Sequence, residues 1–471
     1  MRPRLVELLL FALQAALSLG YRFGAGVRMQ CGERWAHWDW FWQSLRMDDL
    51  RADLAGSLWH LHSQPPVFNL LGGVLGKVFG DAHLEALEWV YRGLAAACVV
   101  LGYRIARNVT ARPRLALATG LVLAVHPGLV VYACYPMYTL PCAFLALLAV
   151  ERLSVRTTTA TGDATPPAPV CIGAVAAVVA LVLLRSAFHI ALLVPVVGLA
   201  ALAARRRART FAVAALLVCA PALGWYAKNA AVFGFFGASS WSGFGLYRVA
   251  SHGRPRERIA ELGPMFAELP AYEPPSRYER YGFVQRSDVP ALAHDDFNNV
   301  NVPAIASAYG AAARTLIADD PLHYARNVAK SYEWFCGPST RYKHTTPLAL
   351  RMGGLESAYV AVITLGGGLA QQGSLWYVLL PGSLLLHVLA AAAEAGRRAA
   401  AWREHVRVHA AAWLAALLLG YTTLVSCCFE LGENERFKFM IEPLAVVFLA
   451  LVADATVRVL RARRARAAAP V

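Results

Sequence analysis

The stretch FHIALLVPVVGLAALAARRRARTFAVAALLVCAPALGWYAKNAA, residues 188–231, decides the fold. One apolar run ends at Ala204. Arg205, Arg206, Arg207 and Arg209 follow, and a second apolar run leads to Lys228-Asn229. A bilayer core about 30 Å thick is crossed by roughly 20 apolar residues as a helix. Helix is the expected form, because lipid offers backbone polar groups no partner. The stretch therefore reads as two membrane-spanning helices joined by an arginine turn.

The same pattern recurs on both sides of it. Leu5–Leu19, Ala174–Leu184, Leu375–Ala393 and Ala410–Val425 are nearly free of charge. Charged residues make up 16% of the 471, against about a quarter in a soluble protein. The formal net charge of +15 sits mostly in short loops between apolar runs, so it reads as a positive-inside bias and not as a nucleic-acid surface. Arg2 and Arg4 precede the first run as in a signal peptide, but no convincing cleavage site follows, and the run reads as an uncleaved first helix.

The expected crossings are roughly 5–23, 84–103, 115–134, 137–151, 171–186, 188–204, 210–231, 375–393, 409–428 and 440–457. Segments 67–80 and 355–370 are short or weakly apolar, which leaves them re-entrant, interfacial or spanning. If only the ten cross, six arginine clusters fall on one side, and both termini are cytoplasmic. The expected class is an all-α polytopic membrane protein with about 10–12 transmembrane helices and a small extracytoplasmic lobe. It divides into an N-terminal transmembrane module, 1–231, with a first extracytoplasmic loop at 24–66; a lobe at 232–353; and C-terminal helices at 354–471. The outward items are loop 24–66, the turn Tyr135–Tyr138, the turn Arg185–His189, the lobe, and the turn Glu430–Lys438.

Chemistry-bearing residues concentrate in those items. Loop 24–66 holds Glu33, Asp39, Asp48, Asp49 and Asp53 beside four tryptophans in eight residues. The tryptophans suit an interface belt, and a carboxylate at a cavity lip can deprotonate an acceptor hydroxyl. Asp39 is the first choice, because flanking aromatics raise a carboxyl pKa. His62-Ser63-Gln64-Pro65-Pro66 marks a helix start whose free N–H groups suit an anion. Arg185 and His189 lie between two apolar runs, against the charge bias, where a cation is a functional candidate. Lys228-Asn229 and Trp241 follow at the next outer lip. Lys228 offers a point charge for a phosphate. In the last turn, Glu433, Asn434 and Arg436 exceed what a connector requires, and Arg436 suits a bidentate phosphate clamp. Cations, carboxylates, histidines and aromatics on one face fit an anionic lipid headgroup bearing a sugar. No Walker loop, serine elbow, zinc helix or metal-type cysteine spacing is present.

His-Ser-Gln-Pro-Pro-Val-Phe-Asn at 62–69 resembles a block of bacterial glycosyltransferase-like membrane proteins. Lys228-Asn229 with Phe233-Gly234 and Ser239-Ser240-Trp241, and Glu433 to Phe437, resemble further blocks of the group. The layout is similar to the GT-C membrane glycosyltransferases, such as protein mannosyltransferases and aminoarabinose transferases. The resemblance implies a polyprenyl-phosphate-sugar donor, an acceptor glycan, lipid or protein on the outer face, and inverting transfer. An acid of the first outer loop then acts as base, and cations hold the lipid phosphate. Here the family's acidic pair directly after the first span is missing, and Glu33 and Asp39 lie further along. No cofactor is assigned, and a divalent metal stays an option. The implied location is a bacterial plasma membrane, with no nucleic acid as partner. Two other classes compete: a lipid or glycan transporter or flippase, which predicts pseudo-symmetric halves and charges deep in the spans, and a non-catalytic membrane scaffold.

Overall fold

Apolar runs bounded by Pro, Gly and arginine turns become helices throughout the computed structural model, which describes residues 3–29, 38–40, 43–110, 112–155, 157–158, 164–204, 208–365, 374–396 and 399–467. The N-terminal part contains α1 (Pro3–Gly24), α2 (Met47–Ala52), α3 (Leu54–Trp59), α4 (Pro66–Phe79), α5 (His83–Thr110), α6 (Pro113–Ala124), α7 (Pro127–Tyr132), α8 (Thr139–Ser154), α9 (Ala168–Leu184), α10 (Leu193–Ala204) and α11 (Ala208–Phe233). The middle part contains α12 (Ser242–Ser251), α13 (Arg256–Ala260), α14 (Pro264–Glu268), α15 (Pro290–Ala293), α16 (Val302–Asp319), α17 (Pro321–Cys336) and α18 (Thr346–Leu350). The rest is α19 (Gly354–Ile363), α20 (Trp376–Ala395), α21 (Ala399–Val408), α22 (Ala410–Phe429), α23 (Asn434–Phe439) and α24 (Glu442–Ala467). A two-residue ribbon, Thr157–Thr158 with Ala164–Thr165, is the β-structure among the described residues.

Five of these helices, α1, α11, α20, α22 and α24, are long and apolar enough to cross a bilayer. Their outer faces stay apolar: Leu8, Leu216, Leu217, Val378, Leu385 and Leu424 are all exposed. Water penalises such a surface and lipid does not, so this is an integral membrane protein. The other expected crossings are helical too, but shorter, broken or charged. Pro127 splits the segment 115–134 into α6 and α7, because proline lacks the N–H that the helix needs. α5 carries the buried pair Glu88–Arg92 at 2.7 Å. Its Arg92 also donates to the Ser18 and Val27 carbonyls, tying α1 and the start of the outer loop to the bundle.

Contacts give the bundle two distinct ends. At one end Arg104 and Arg107 pair with Glu7, Arg112 pairs with Asp454, and Arg458 lies 4.0 Å from Glu394. Both described termini lie at this arginine end. At the opposite end Arg22 pairs with Glu85 and Glu88. α4 begins and ends there, and α19 starts there, with Glu356 paired to Arg341. α4 is capped below by Lys77, whose ammonium donates to the Arg51 carbonyl, and Arg51 in turn pairs with Asp81. At roughly 1.5 Å per residue its 14 residues are too short to cross. The start of α20 meets the end of α19, with Leu375 N donating to Ile363 O at 2.7 Å.

The middle part has its own core. Phe244, Tyr247, Ile305, Ala306, Tyr309 and Leu316 bury one another between α12 and α16. Gly243 allows that closeness: a Cβ there would stand 1.8 Å from the Ala306 carbonyl oxygen.

Candidate active site

The outward items expected from the sequence converge at the end opposite the arginines. Ser240 N donates to His62 O at 2.9 Å, and Ser239 Oγ donates to Ser63 O at 2.5 Å. Ser186 donates to Gln64 at 3.2 Å. The Tyr138 hydroxyl donates to Gln43 at 2.5 Å. Arg248, in the lobe, pairs with Glu430 at 3.0 Å.

At the centre stand Arg185 and Arg436, 5% and 4% exposed. Arg185 caps α9, where apolar helix gives way to extended backbone. Its guanidinium lies between two rings, 4.2 Å from the centroid of Tyr138 and 4.1 Å from that of Phe437. Arg436 faces the same two rings at 5.8 and 5.6 Å. It sits on the short α23, which Asn434 holds in place: that amide donates to Ser331 Oγ at 2.7 Å and to Glu430 O at 3.1 Å. Arg436 pairs with Glu433 at 2.5 Å and donates to the Tyr135 hydroxyl at 3.4 Å. Glu433 also accepts from the Tyr342 hydroxyl at 3.1 Å.

The electrostatics leave this cluster short of negative charge. Burial pushes the Glu433 carboxyl up, but Arg436, Lys343, Arg248 and Arg185 outweigh it and hold it down near 2. Burial opposes the Arg436 charge, and Glu433 with the surrounding tyrosines more than restores it. Arg185 is pulled below its usual range by burial above all, with the like charge of Arg436 adding to it. Three buried guanidinium N–H positions, Nε and Nη1 of Arg185 and Nε of Arg436, have no hydrogen-bond partner among the described residues. A buried charged donor without a partner carries a desolvation cost that an anion between the two arginines relieves.

The other expected residues take different places. His62 is buried and used by the protein itself: its Nε2 faces the Asn298 and Asn299 carbonyls at 3.1 and 3.2 Å, and its Nδ1 faces Ser240 Oγ at 3.0 Å. Burial pushes it down to about 3, against the help of those carbonyls, so it is a neutral imidazole donating from Nε2. Lys228 is engaged nearby, donating to Leu61 O at 2.6 Å and lying 3.7 Å from the Trp225 ring centroid. It reaches the arginine pair only through segment 61–64. Asn229 donates to Gly237 O at 2.7 Å. Trp241 packs on Tyr272, Phe244 and Phe297 in the lobe. His189 is exposed and caps a short turn by accepting from Ala191 N. Gln64 lies beside Arg185 through Ser186. Glu33 falls outside the described residues.

Asp39 is exposed and accepts from Met47 N at 2.8 Å. Its neighbour Trp38 stacks on Phe68 at 4.8 Å, and Phe68 meets Tyr138 edge-on at 5.6 Å. Gly72 permits this packing, because a Cβ there would meet the Trp38 ring at 2.1 Å. Asp39 thus stands two ring contacts from the arginine pair. Of the other loop acids, Asp49 pairs with His294 at 2.7 Å and Asp53 caps α3.

Tyr138 and Phe437, which the sequence places only in an outward turn and a resembling block, and Tyr342 and Gln43 join the site without being among the expected site residues. The signal that points to Tyr138 is the turn Tyr135-Pro136-Met137-Tyr138, aromatic at both ends. Behind the site lies a second polar core. Glu442, 0% exposed, accepts from Tyr359 at 2.7 Å and from Ser339, and pairs with Lys438 at 3.3 Å. Lys438 also donates to Gly337 O.

Among solved structures the chain is similar to the oligosaccharyltransferase of Archaeoglobus fulgidus, in complex with Zn and sulfate, with TM-score 0.44 and 13% identity over 96% of this chain and 50% of that one. It is also similar to ArnT from Cupriavidus metallidurans bound to undecaprenyl phosphate, with TM-score 0.32 and 15% identity over 89% of this chain and 77% of that one. The chain spans about half the length of the oligosaccharyltransferase it matches. No protein-family model and no curated protein sequence matches it.

Proposed function

We propose that this protein is a GT-C type membrane glycosyltransferase, moving a sugar from a polyprenyl-phosphate carrier to an acceptor on the extracytoplasmic face. The observation that carries the reading is the pair Arg185–Arg436, two buried guanidiniums over the shared rings of Tyr138 and Phe437, with three N–H positions that find no partner among the described residues. A carrier phosphate between them accepts from both. As the bond between the anomeric carbon and the phosphate oxygen breaks, negative charge grows on the phosphate, and fixed cations in a dry setting stabilise that growth. Asp39 or Glu33 takes the acceptor's hydroxyl proton as its oxygen attacks the anomeric carbon from the opposite side, which inverts the centre. His62 and Lys228 act at one remove, by holding segment 61–64 and with it Gln64 beside Ser186. The arginine end faces the cytoplasm, in keeping with positive-inside bias.

A purified-protein assay with polyprenyl-phosphate sugars tests this. We expect turnover that Arg436→Ala abolishes, and loss of the base when Asp39→Asn and Glu33→Gln are combined. Turnover unchanged in the arginine variant removes the phosphate role, and unchanged turnover in the double variant removes the proposed base.

A further inference from the structure

The arginine end holds a second constellation that sugar transfer does not use. His405-Val-Arg-Val-His409 puts two imidazoles one helical turn apart, on one face. Glu394, near the C-terminal end of α20, meets them. Its Oε2 lies 3.4 Å from His405 Nδ1 and 3.5 Å from His409 Nε2, while its Oε1 turns to Arg458 at 4.0 Å. The three ligand atoms lie within 4.8 Å of one another.

These spacings are long for N–H···O bonds, which centre near 2.9–3.0 Å. These two carboxylate–imidazole spacings match a different geometry. Two atoms each about 2.0–2.1 Å from a tetrahedral ion stand roughly 3.4 Å apart. The donor set also fits, since imidazole and carboxylate together suit zinc. The charges facing the cluster are Arg458, itself 3.6 Å from Asp454, and the half-buried Arg407, paired with Glu404. Arg458 engages one oxygen of Glu394 and leaves the other to the histidines.

We propose that Glu394, His405 and His409 form a binding site for a zinc-class divalent cation, clasping the end of α20 to the junction of α21 and α22. It is remote from the sugar-transfer site: Trp376, at the start of α20, lies 5.7 Å from Lys438, and Glu394 follows 18 residues later, roughly 27 Å along the helix. A water completes the coordination. The site's role is to fasten the amphipathic α21, none of whose residues is fully buried, against the bundle.

The test uses the full-length protein in detergent, freed of any histidine tag and stripped with chelator. Co(II) and Zn(II) are then added and bound metal is measured after desalting. We expect one equivalent per chain, an intense tetrahedral Co(II) spectrum, and a higher melting temperature with Zn(II). The variants His409→Gln and Glu394→Gln should bind at least ten-fold more weakly. Wild-type protein that retains no metal, or shows only the pale spectrum of six-coordinate cobalt, overturns the proposal without recourse to any variant. So does full retention by a His405→Gln/His409→Gln double variant.

Discussion

Arg436 is in direct contact with a carboxylate, whereas the Arg185 guanidinium lies against rings. That difference makes Arg185 the sharper probe of an anion site. Arg185→Lys keeps the charge but loses the planar fork and its stacking between Tyr138 and Phe437. Removing one preorganised donor typically costs about 100-fold or more in rate. We expect kcat/KM with a polyprenyl-phosphate sugar to fall by about that factor in Arg185→Lys, and a fall of less than two-fold would speak against a phosphate at this position. Glu435 gives a pH-dependent signal at the same scale. Burial, chiefly, raises its carboxyl to about 7. A folded pKa above the unfolded one means that the fold holds the proton more tightly, so stability is fully present below about 4.5 and declines as pH rises through 7. Glu435→Gln should therefore melt above wild type at pH 8 and level with it near pH 4.5. A melting difference independent of pH would show that the carboxyl does not titrate as described.

Among the helices, two contacts carry distinct predictions. α12 and α16 touch at Gly243, where an added Cβ meets backbone that cannot move as a side chain does. Gly243→Ala should destabilise the lobe by about 1–3 kcal/mol, the usual cost of overpacking, read as earlier protease cleavage within 242–319. α23 and α24 meet through Lys438 and Glu442, 3% and 0% exposed. Removing one partner of a buried pair costs about 3–5 kcal/mol, because the other charge is left uncompensated. Lys438→Met should lower the melting temperature markedly, and Lys438→Met with Glu442→Gln should recover part of the loss. If the double variant melts below the single one, the pair is not what couples these helices.

The whole molecule separates its polar chemistry by end. Asp288 and Glu404 are both exposed, the first in the lobe and the second at the arginine end. In a chain with Cys31 and Cys428 replaced by serine, a membrane-impermeant thiol reagent applied to intact cells should label Asp288→Cys and spare Glu404→Cys. Equal labelling would break the assignment of the lobe and the arginines to opposite sides. The layout was legible in advance to a large degree. The ten apolar runs became helices, and the outward segments met at one end. Segments 67–80 and 355–370 were ambiguous because a short apolar run suits a buried helix, a re-entrant one or a weak span alike. Only tertiary contacts decide: Lys77 with Arg51 brings the end of α4 back to the end where it began, and Leu375 with Ile363 sets the start of α20 beside the end of α19.

Composition and spacing alone determined that the chain is helical and lies in a membrane, because the demand of lipid for apolar surface and paired backbone acts on every residue locally. Arg185 and Arg436 were visible as misplaced cations for the same reason. That they share the rings of Tyr138 and Phe437, while Lys228 and His62 turn inward to brace a loop, was decided by tertiary packing. Which buried donor finds a protein partner depends on distances between segments far apart in the chain, and no local pattern encodes those distances.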